Sequence, residues 1–365
     1  MSTPLVGHLD PEFLALMNET MELLRQTFGT RNALTIPVSA TGSAGMEAAF
    51  VNVVEPGDEV VVCVNGVFGE RMSDIVERCG AKLIRVEGEW GRTIPAERVV
   101  ETLKTCRRPK VVAIVHAETS TGVLQPLEDI GRVVREHEGL FLVDAVTSLG
   151  GAPVNVDATG IDICYSGTQK CLSCPPGLAP ITFGARAMEV IQNRRTKVQS
   201  WYLDMTMISR YWGSERFYHH TAPISMIYAI REALRLVHEE GLDARFARHR
   251  LHAGALAAGL EALGVPLAAE EGFRAPMLTL CGIPEGVDDL AVRKRLLAEF
   301  NVEIGGGLGV FKGKMWRIGL MGETARRSNV VTALDALEAC LIAEGVRIRR
   351  GSAIAAATDY YAAAG

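Results

Sequence analysis

From residue 33 onward, unbroken apolar runs alternate with stretches in which apolar positions recur every three to four residues. The unbroken runs are ALTIPVSA (33–40), DEVVVCVNG (58–66), AKLIRVEG (81–88), KVVAIVHA (110–117), LFLVDAV (140–146), DICYSG (162–167) and LAPITFG (178–184). Between them MEAAFVNVV (46–54), FGERMSDIVERCG (68–80), AERVVETLKTC (96–106) and LEDIGRVVREHEG (127–139) read as helices, two of them closed by Gly80 and Gly139. A strand that is apolar at successive positions is covered on both faces, and helices alternating with such strands supply the cover. The pattern therefore predicts an α/β fold with a mainly parallel sheet between helices. Further along, helical patterns at 225–241, 249–264 and 329–345 enclose strand-like APMLTLCG (275–282) and KMWRIGL (314–320), which predicts a smaller α+β unit. We expect a large domain over 1–240, a small C-terminal domain over 241–348 and a tail over 349–365. The tail is Ala-rich and uncapped, so it is expected to be poorly ordered or loosely docked.

A length of 365 residues suits about two domains, and 48% hydrophobic residues are ample for their cores. The net charge of -5 is mild and spread along the chain, so no basic run points to nucleic acid. No apolar run reaches the roughly 18 residues that span a bilayer. The start, MSTPLVGHLDPEF, lacks the pattern of a secretory signal, and the end, YYAAAG, is no peroxisomal address. The expectation is a cytoplasmic protein with no membrane partner and reduced thiols. Cys171 and Cys174 form a lone CxxC with no second such pair, so they are read as structural and no metal is expected.

In an open α/β sheet, ligands gather beyond the carboxyl ends of the strands. Those ends carry Ser39-Ala40-Thr41-Gly42-Ser43-Ala44-Gly45, Asn65 to Gly69, His116 to Gly122, Asp144, and Ser166-Gly167-Thr168-Gln169-Lys170. The Thr41-Gly42-Ser43 turn offers hydroxyls and N–H groups at a helix start, which suits a phosphate. It is not a Walker loop, and GGGLGVFKGK (305–314) also fails, with Leu308 where a glycine is needed and Met315 after Lys314. A carboxylate at Asp144, after an apolar strand, is costly unless it meets a cation or hydrogen bonds. Lys170 precedes the apolar CLSCPPG, a setting in which an amine loses its proton readily and can form a Schiff base. An acid on one strand end, a lysine on the next and a phosphate turn earlier are what pyridoxal 5'-phosphate requires.

Several stretches carry a closer likeness: TRNALTIPVSATGSAGMEAAFVNVVEPGD (30–58), ETSTGVLQPL (118–127), LFLVDAVTSLGG (140–151), IDICYSGTQKCLSCPPG (161–177), YHHTAP (218–223), GGLG (306–309) and RIGLMG (317–322). In this order they resemble the class V, fold type I aminotransferases, and most closely the alanine–glyoxylate and serine–pyruvate branch. The resemblance covers residue 5 to about 348. It implies that Lys170 holds the cofactor through a Schiff base, Asp144 pairs with its pyridine nitrogen and Val146 packs on its ring. Phe68 falls where this branch often has a stacking Trp. Thr119 and Gln169 would hydrogen-bond the cofactor, and Thr41, Gly42 and Ser43 would hold its phosphate. Tyr218 and Thr221 would reach the neighbouring subunit's phosphate, which implies a homodimer. Arg317 would grip the substrate carboxylate, a task suited to a guanidinium fork. The family also has a Gly- and Pro-rich upstream segment, and this sequence is expected to start after it.

The implied reaction is transamination from a small amino acid, alanine or serine, to a 2-oxo acid, glyoxylate or pyruvate. Ureidoglycine and aminoethylphosphonate aminotransferases are the near alternatives. A class V desulfurase or lyase typically has His before the lysine, where this sequence has Gln169. A PLP-binding protein without turnover is the alternative from another class. His219 and His220 are adjacent, and neighbours point apart in regular structure, so packing or hydrogen bonding is expected of them rather than metal binding.

Overall fold

The structure, a computed structural model, describes residues 4–364. Its main sheet collects β1 (Leu34–Val38), β2 (Glu59–Val64), β3 (Lys82–Glu87), β4 (Pro109–Val115), β7 (Leu140–Asp144), β8 (Ile163–Tyr165) and β9 (Ala179–Phe183). Between β4 and β7 lie the short β5 (Ala117–Glu118) and β6 (Val123–Leu124), which pair with each other. The main order is β1-β9-β8-β7-β4-β2-β3. Strands β3, β2, β4, β7 and β8 are parallel, β9 runs against β8, and β1 runs against β9. Two reversals restore the direction of β1, so only β9 opposes the rest. The carboxyl ends of β1, β2, β4, β7 and β8 therefore share one edge, and every polar strand-end cluster named above lies there.

The central strands are buried along nearly their whole length, as uninterrupted apolar sequence requires. The helix Pro11–Phe28 escaped the sequence reading. Asp10 caps it by accepting from the Glu12 N–H, Pro11 opens it, and Phe13, Met17, Leu24 and Phe28 are fully buried. It packs against the helix Ile224–Glu240 and against β1. One buried cluster runs from Phe13 to Val237.

A second cluster runs from Ala255 to Ala357 around β10 (Leu278–Gly282), β11 (Gly305–Gly306) and β12 (Met315–Gly319), which form an antiparallel sheet in the order β10-β12-β11. Arg317 sits in the middle of β12 opposite Leu280, not at a strand end. The tail corrects the expectation of a loosely docked segment. Ser352–Ala364 is a helix lying along the helix Leu242–Ala262, with Ala353 and Ala357 fully buried. The Tyr361 hydroxyl meets His252 Nδ1 at 2.8 Å. At Gly254 a Cβ would fall 2.0 Å from the Tyr360 hydroxyl, so a glycine there admits the tyrosine. Alanine has the highest helix propensity, and here docking supplies what the missing caps do not.

Candidate active site

The chain leaves β1 through Ser39 and enters the helix Gly42–Val51 at Thr41, whose extended backbone forms the cap without a side-chain bond. The first N–H groups of that helix are thus free for an anion. Gly42 touches two other strand ends. A Cβ on it would lie 3.4 Å from Gly167 Cα and from Val146 Cγ2. The Thr41-Gly42-Ser43 turn, the segment after Asp144 and the segment before Lys170 therefore meet at one point. Arg71 reaches in from the helix Val67–Arg78, donating to Ser43 Oγ at 3.3 Å and covering one face of the Phe68 ring at 5.0 Å.

Asp144 is 2% exposed at the end of β7. Its Oδ1 accepts from the Val146 N–H at 2.8 Å and its Oδ2 from the Tyr165 hydroxyl at 2.7 Å. Tyr165 stands directly opposite on β8. Burial nevertheless pushes the carboxyl up to about 6, against the lowering effect of those two donors, and the Glu118 charge adds to the rise. A carboxylate in this condition is short of a cation.

Lys170 lies half-buried past β8, and burial draws its amine below the ordinary lysine range. The positive charge of Arg317 acts in the same direction, while Cys171 and Asp144 oppose it. A lysine held back from protonation is a better nucleophile and proton acceptor. Arg317 donates through Nε to the Gly306 carbonyl at 2.8 Å, which aims its guanidinium across the short β11. Burial lowers its proton affinity, and Glu118 works against that.

The remaining sequence candidates fall around these groups. Thr119 is buried, its hydroxyl 3.4 Å from that of Thr147. Gln169 is exposed, with its amide oxygen over Gly167. Tyr218 and Thr221 are exposed and their hydroxyls lie 3.4 Å apart. His219 and His220 do hydrogen-bond and pack as expected, but they do not point apart. Their Nδ1 atoms are 2.8 Å from each other, His220 Nε2 lies 2.8 Å from Ser39 Oγ, and His219 stacks on Trp201 at 4.5 Å. The alternation rule fails because residues 217–220 belong to no strand or helix. Cys171 and Cys174 are buried, unpaired thiols that burial pushes up to about 12 and about 11.

Three groups of this region went unnoticed in the sequence. Tyr165 is visible only through the β7–β8 register. Glu118 and Arg71 sit within the quoted motifs, but their partners lie far away in the chain. A cavity of about 360 Å³ between β10 and the helix Leu242–Ala262 includes none of Asp144, Lys170 and Arg317.

A carboxylate wanting a cation, an amine held back from protonation and an open helix start next to hydroxyls fit a group with a basic ring nitrogen, a carbonyl and a phosphate. The comparisons agree. The aminotransferase class-V family model matches residues 4–328. The (S)-ureidoglycine–glyoxylate transaminase of Bacillus subtilis (strain 168) is 43% identical, the match covering 100% of this chain and 92% of that one. The alanine–glyoxylate aminotransferase of Callithrix jacchus is 41% identical over 92% of this chain and 82% of its own. The crystal structure of an alanine–glyoxylate aminotransferase from Nostoc sp. superposes with a TM-score of 0.91 at 51% identity, covering 93% of this chain and 90% of that one.

Proposed function

This chain belongs to the class-V aminotransferase family, whose cofactor is pyridoxal 5'-phosphate, and on that premise we propose that it moves an amino group from alanine or serine to glyoxylate or pyruvate. The observation that carries the reading is the meeting of three strand ends at Gly42, where a Cβ would lie 3.4 Å from Gly167 Cα and from Val146 Cγ2, so that the Thr41-Gly42-Ser43 turn, the segment after Asp144 and the segment before Lys170 form one site.

When bound, the cofactor supplies the electron sink that lets the substrate's Cα–H bond break. The protein's residues prepare that event. The Lys170 amine would hold the cofactor covalently and, once displaced by the substrate's amino group, would take up the Cα proton at its Nζ as a general base. Asp144, fixed by Val146 and Tyr165, would pair with the ring nitrogen and hold a proton there. Val146 and Phe68 would pack on the two faces of the ring, and Thr119 and Gln169 would hydrogen-bond it. Thr41, Gly42 and Ser43 receive the phosphate. Arg317, steadied by Gly306, binds the carboxylate shared by amino donor and keto acid, so both occupy the same place in turn.

The reading includes a homodimer in which Tyr218 and Thr221 reach the neighbouring subunit's phosphate. Its support is the exposed aromatic group Trp201, Phe217 and Tyr218, 62%, 54% and 53% accessible on the single chain. A sedimentation mass of one chain would refute it. The junction near residue 240 is read as the boundary between a cofactor-binding domain and a smaller one, because the two buried clusters divide there. No helix of the described residues is long and apolar enough to cross a membrane. A cytoplasmic place of action is supported by eight unpaired cysteines.

A second reading, ureidoglycine as donor, is favoured by the match of the Bacillus subtilis relative to the whole chain, C-terminal helix included. Both readings meet in one experiment. Holo-protein is mixed with alanine, serine or ureidoglycine without any keto acid, and the cofactor's visible band is followed. Loss of the band with alanine, and its return on adding glyoxylate, supports the first reading. A response to ureidoglycine alone supports the second. No response to any of the three leaves a binding protein without turnover.

A further inference from the structure

Glu118 takes no part in the chemistry described above, yet it is only 1% exposed beside the site. A buried carboxylate is retained at a cost unless several donors satisfy it. Its Oε1 accepts from the Ser120 N–H at 3.0 Å and the Ser120 hydroxyl at 2.7 Å. Its Oε2 accepts from the Phe68 N–H at 3.1 Å. Ser120 Oγ in turn accepts from the Val67 N–H at 2.9 Å.

The first N–H groups of a helix have no partner within it, and the residue at the cap ordinarily supplies one. Here that residue is Gly66, which has no side chain. The N–H groups of Val67 and Phe68 end instead on Ser120 and Glu118, which lie 53 and 50 residues further along the chain. Gly66 is what allows the approach. Its backbone is extended, which any residue adopts, but a Cβ would fall 2.3 Å from Glu118 Cγ and 2.6 Å from Ser120 Oγ. A negative charge also suits a helix start. The same strand, β5, leads directly into Thr119.

We propose that Glu118 is a positioning residue: with Ser120 it bolts the first turn of the helix Val67–Arg78 to β5 and so sets the plane of the Phe68 ring against the cofactor. This rests on the reading that Phe68 stacks on the ring. Arg71 covers one face of Phe68 at 5.0 Å, so the cofactor would take the other.

The test compares Glu118→Gln, Phe68→Ala, the double variant and Ser120→Ala. Each is purified as holo-protein, and the readouts are the cofactor dissociation constant and the circular dichroism of its visible band. Gln keeps the shape but turns an N–H₂ toward backbone donors. Glu118→Gln and Phe68→Ala should each weaken cofactor binding about 10-fold, and both should change the dichroism in the same sense. Because Glu118 acts through Phe68, the double variant should stay within about threefold of Phe68→Ala alone. Binding within about twofold of wild type and unchanged dichroism in Glu118→Gln would overturn the proposal, as would losses that simply multiply in the double variant. If Phe68→Ala has no effect, the stacking reading falls and this proposal with it. If only Glu118→Gln has none, the stacking reading survives and Glu118 is discarded. Should Glu118→Gln fail to fold, Ser120→Ala decides. It frees the Val67 N–H and removes one donor to Glu118 Oε1 while leaving the Phe68 N–H bond to Oε2 in place, and it should weaken binding about threefold with the same dichroic change, whereas wild-type behaviour would overturn the proposal.

Discussion

Changing Asp144 to Asn should act in opposite directions on the protein with and without cofactor. In the structure Asp144 is almost fully buried and titrates at about 6 instead of 3.8. A raised folded-state value means that the native state binds the proton more tightly than the unfolded chain does. Stability of the cofactor-free protein should therefore fall as pH rises from about 4 through about 6, then level off. At about 1.4 kcal/mol per pKa unit, the ionised carboxylate costs the cofactor-free protein about 3 kcal/mol at pH 8. Asn removes that cost with little disturbance, since its oxygen can accept from Val146 and its amide can donate to the Tyr165 hydroxyl. Urea unfolding at pH 8 should show the cofactor-free Asn variant more stable than wild type, and the difference should vanish near pH 4. With cofactor bound, the charge has a partner and its loss is harmful. We expect kcat to fall roughly 100-fold, a barrier increase of about 3 kcal/mol. A cofactor-free Asn variant less stable than wild type at pH 8, together with normal kcat, would show that Asp144 is a structural capping group and would refute the reasoning.

Two further outcomes follow from the same geometry. Arg317→Lys keeps the charge but loses the fork, so steady-state assays should show KM raised roughly 10- to 100-fold for both amino donor and keto acid, with cofactor absorbance unchanged; a variant that loses cofactor but keeps both KM values would contradict the carboxylate assignment. Ala357→Asp places a charge in the contact between the C-terminal helix and the helix Leu242–Ala262, and urea unfolding should register a loss of about 2–4 kcal/mol, whereas no loss would mean that the tail is not docked.

How far the sequence could be read depended on whether the deciding contact was local. Strands β2, β4 and β7 were legible because burial on both faces writes an unbroken apolar run. The reversal of β9 was not, since such a run carries no direction. The helix Pro11–Phe28 announced itself through Asp10 and Pro11, but it lay ahead of the alternating pattern and was passed over. The tail helix had no cap to betray it, and its partners Gly254 and His252 lie about a hundred residues earlier. Lys170 and Asp144 stood out as polar residues ending apolar strands. Tyr165 and Glu118 sat beside them unnoticed, because what gives each its place is a register or a helix start contributed by another part of the chain. The histidine pair failed in a different way, through a rule for regular structure applied to an irregular loop.

The central claim is that pyridoxal phosphate is carried on Lys170, and reductive mapping tests it most directly. Holo-protein is treated with borohydride, digested, and analysed by mass spectrometry for the lysine bearing the pyridoxyl group. A single modified peptide spanning Gly167 to Cys171 is expected, with the label on Lys170, and no label or visible band in Lys170→Ala. Label on any other lysine, or a visible band that survives in Lys170→Ala, would contradict it.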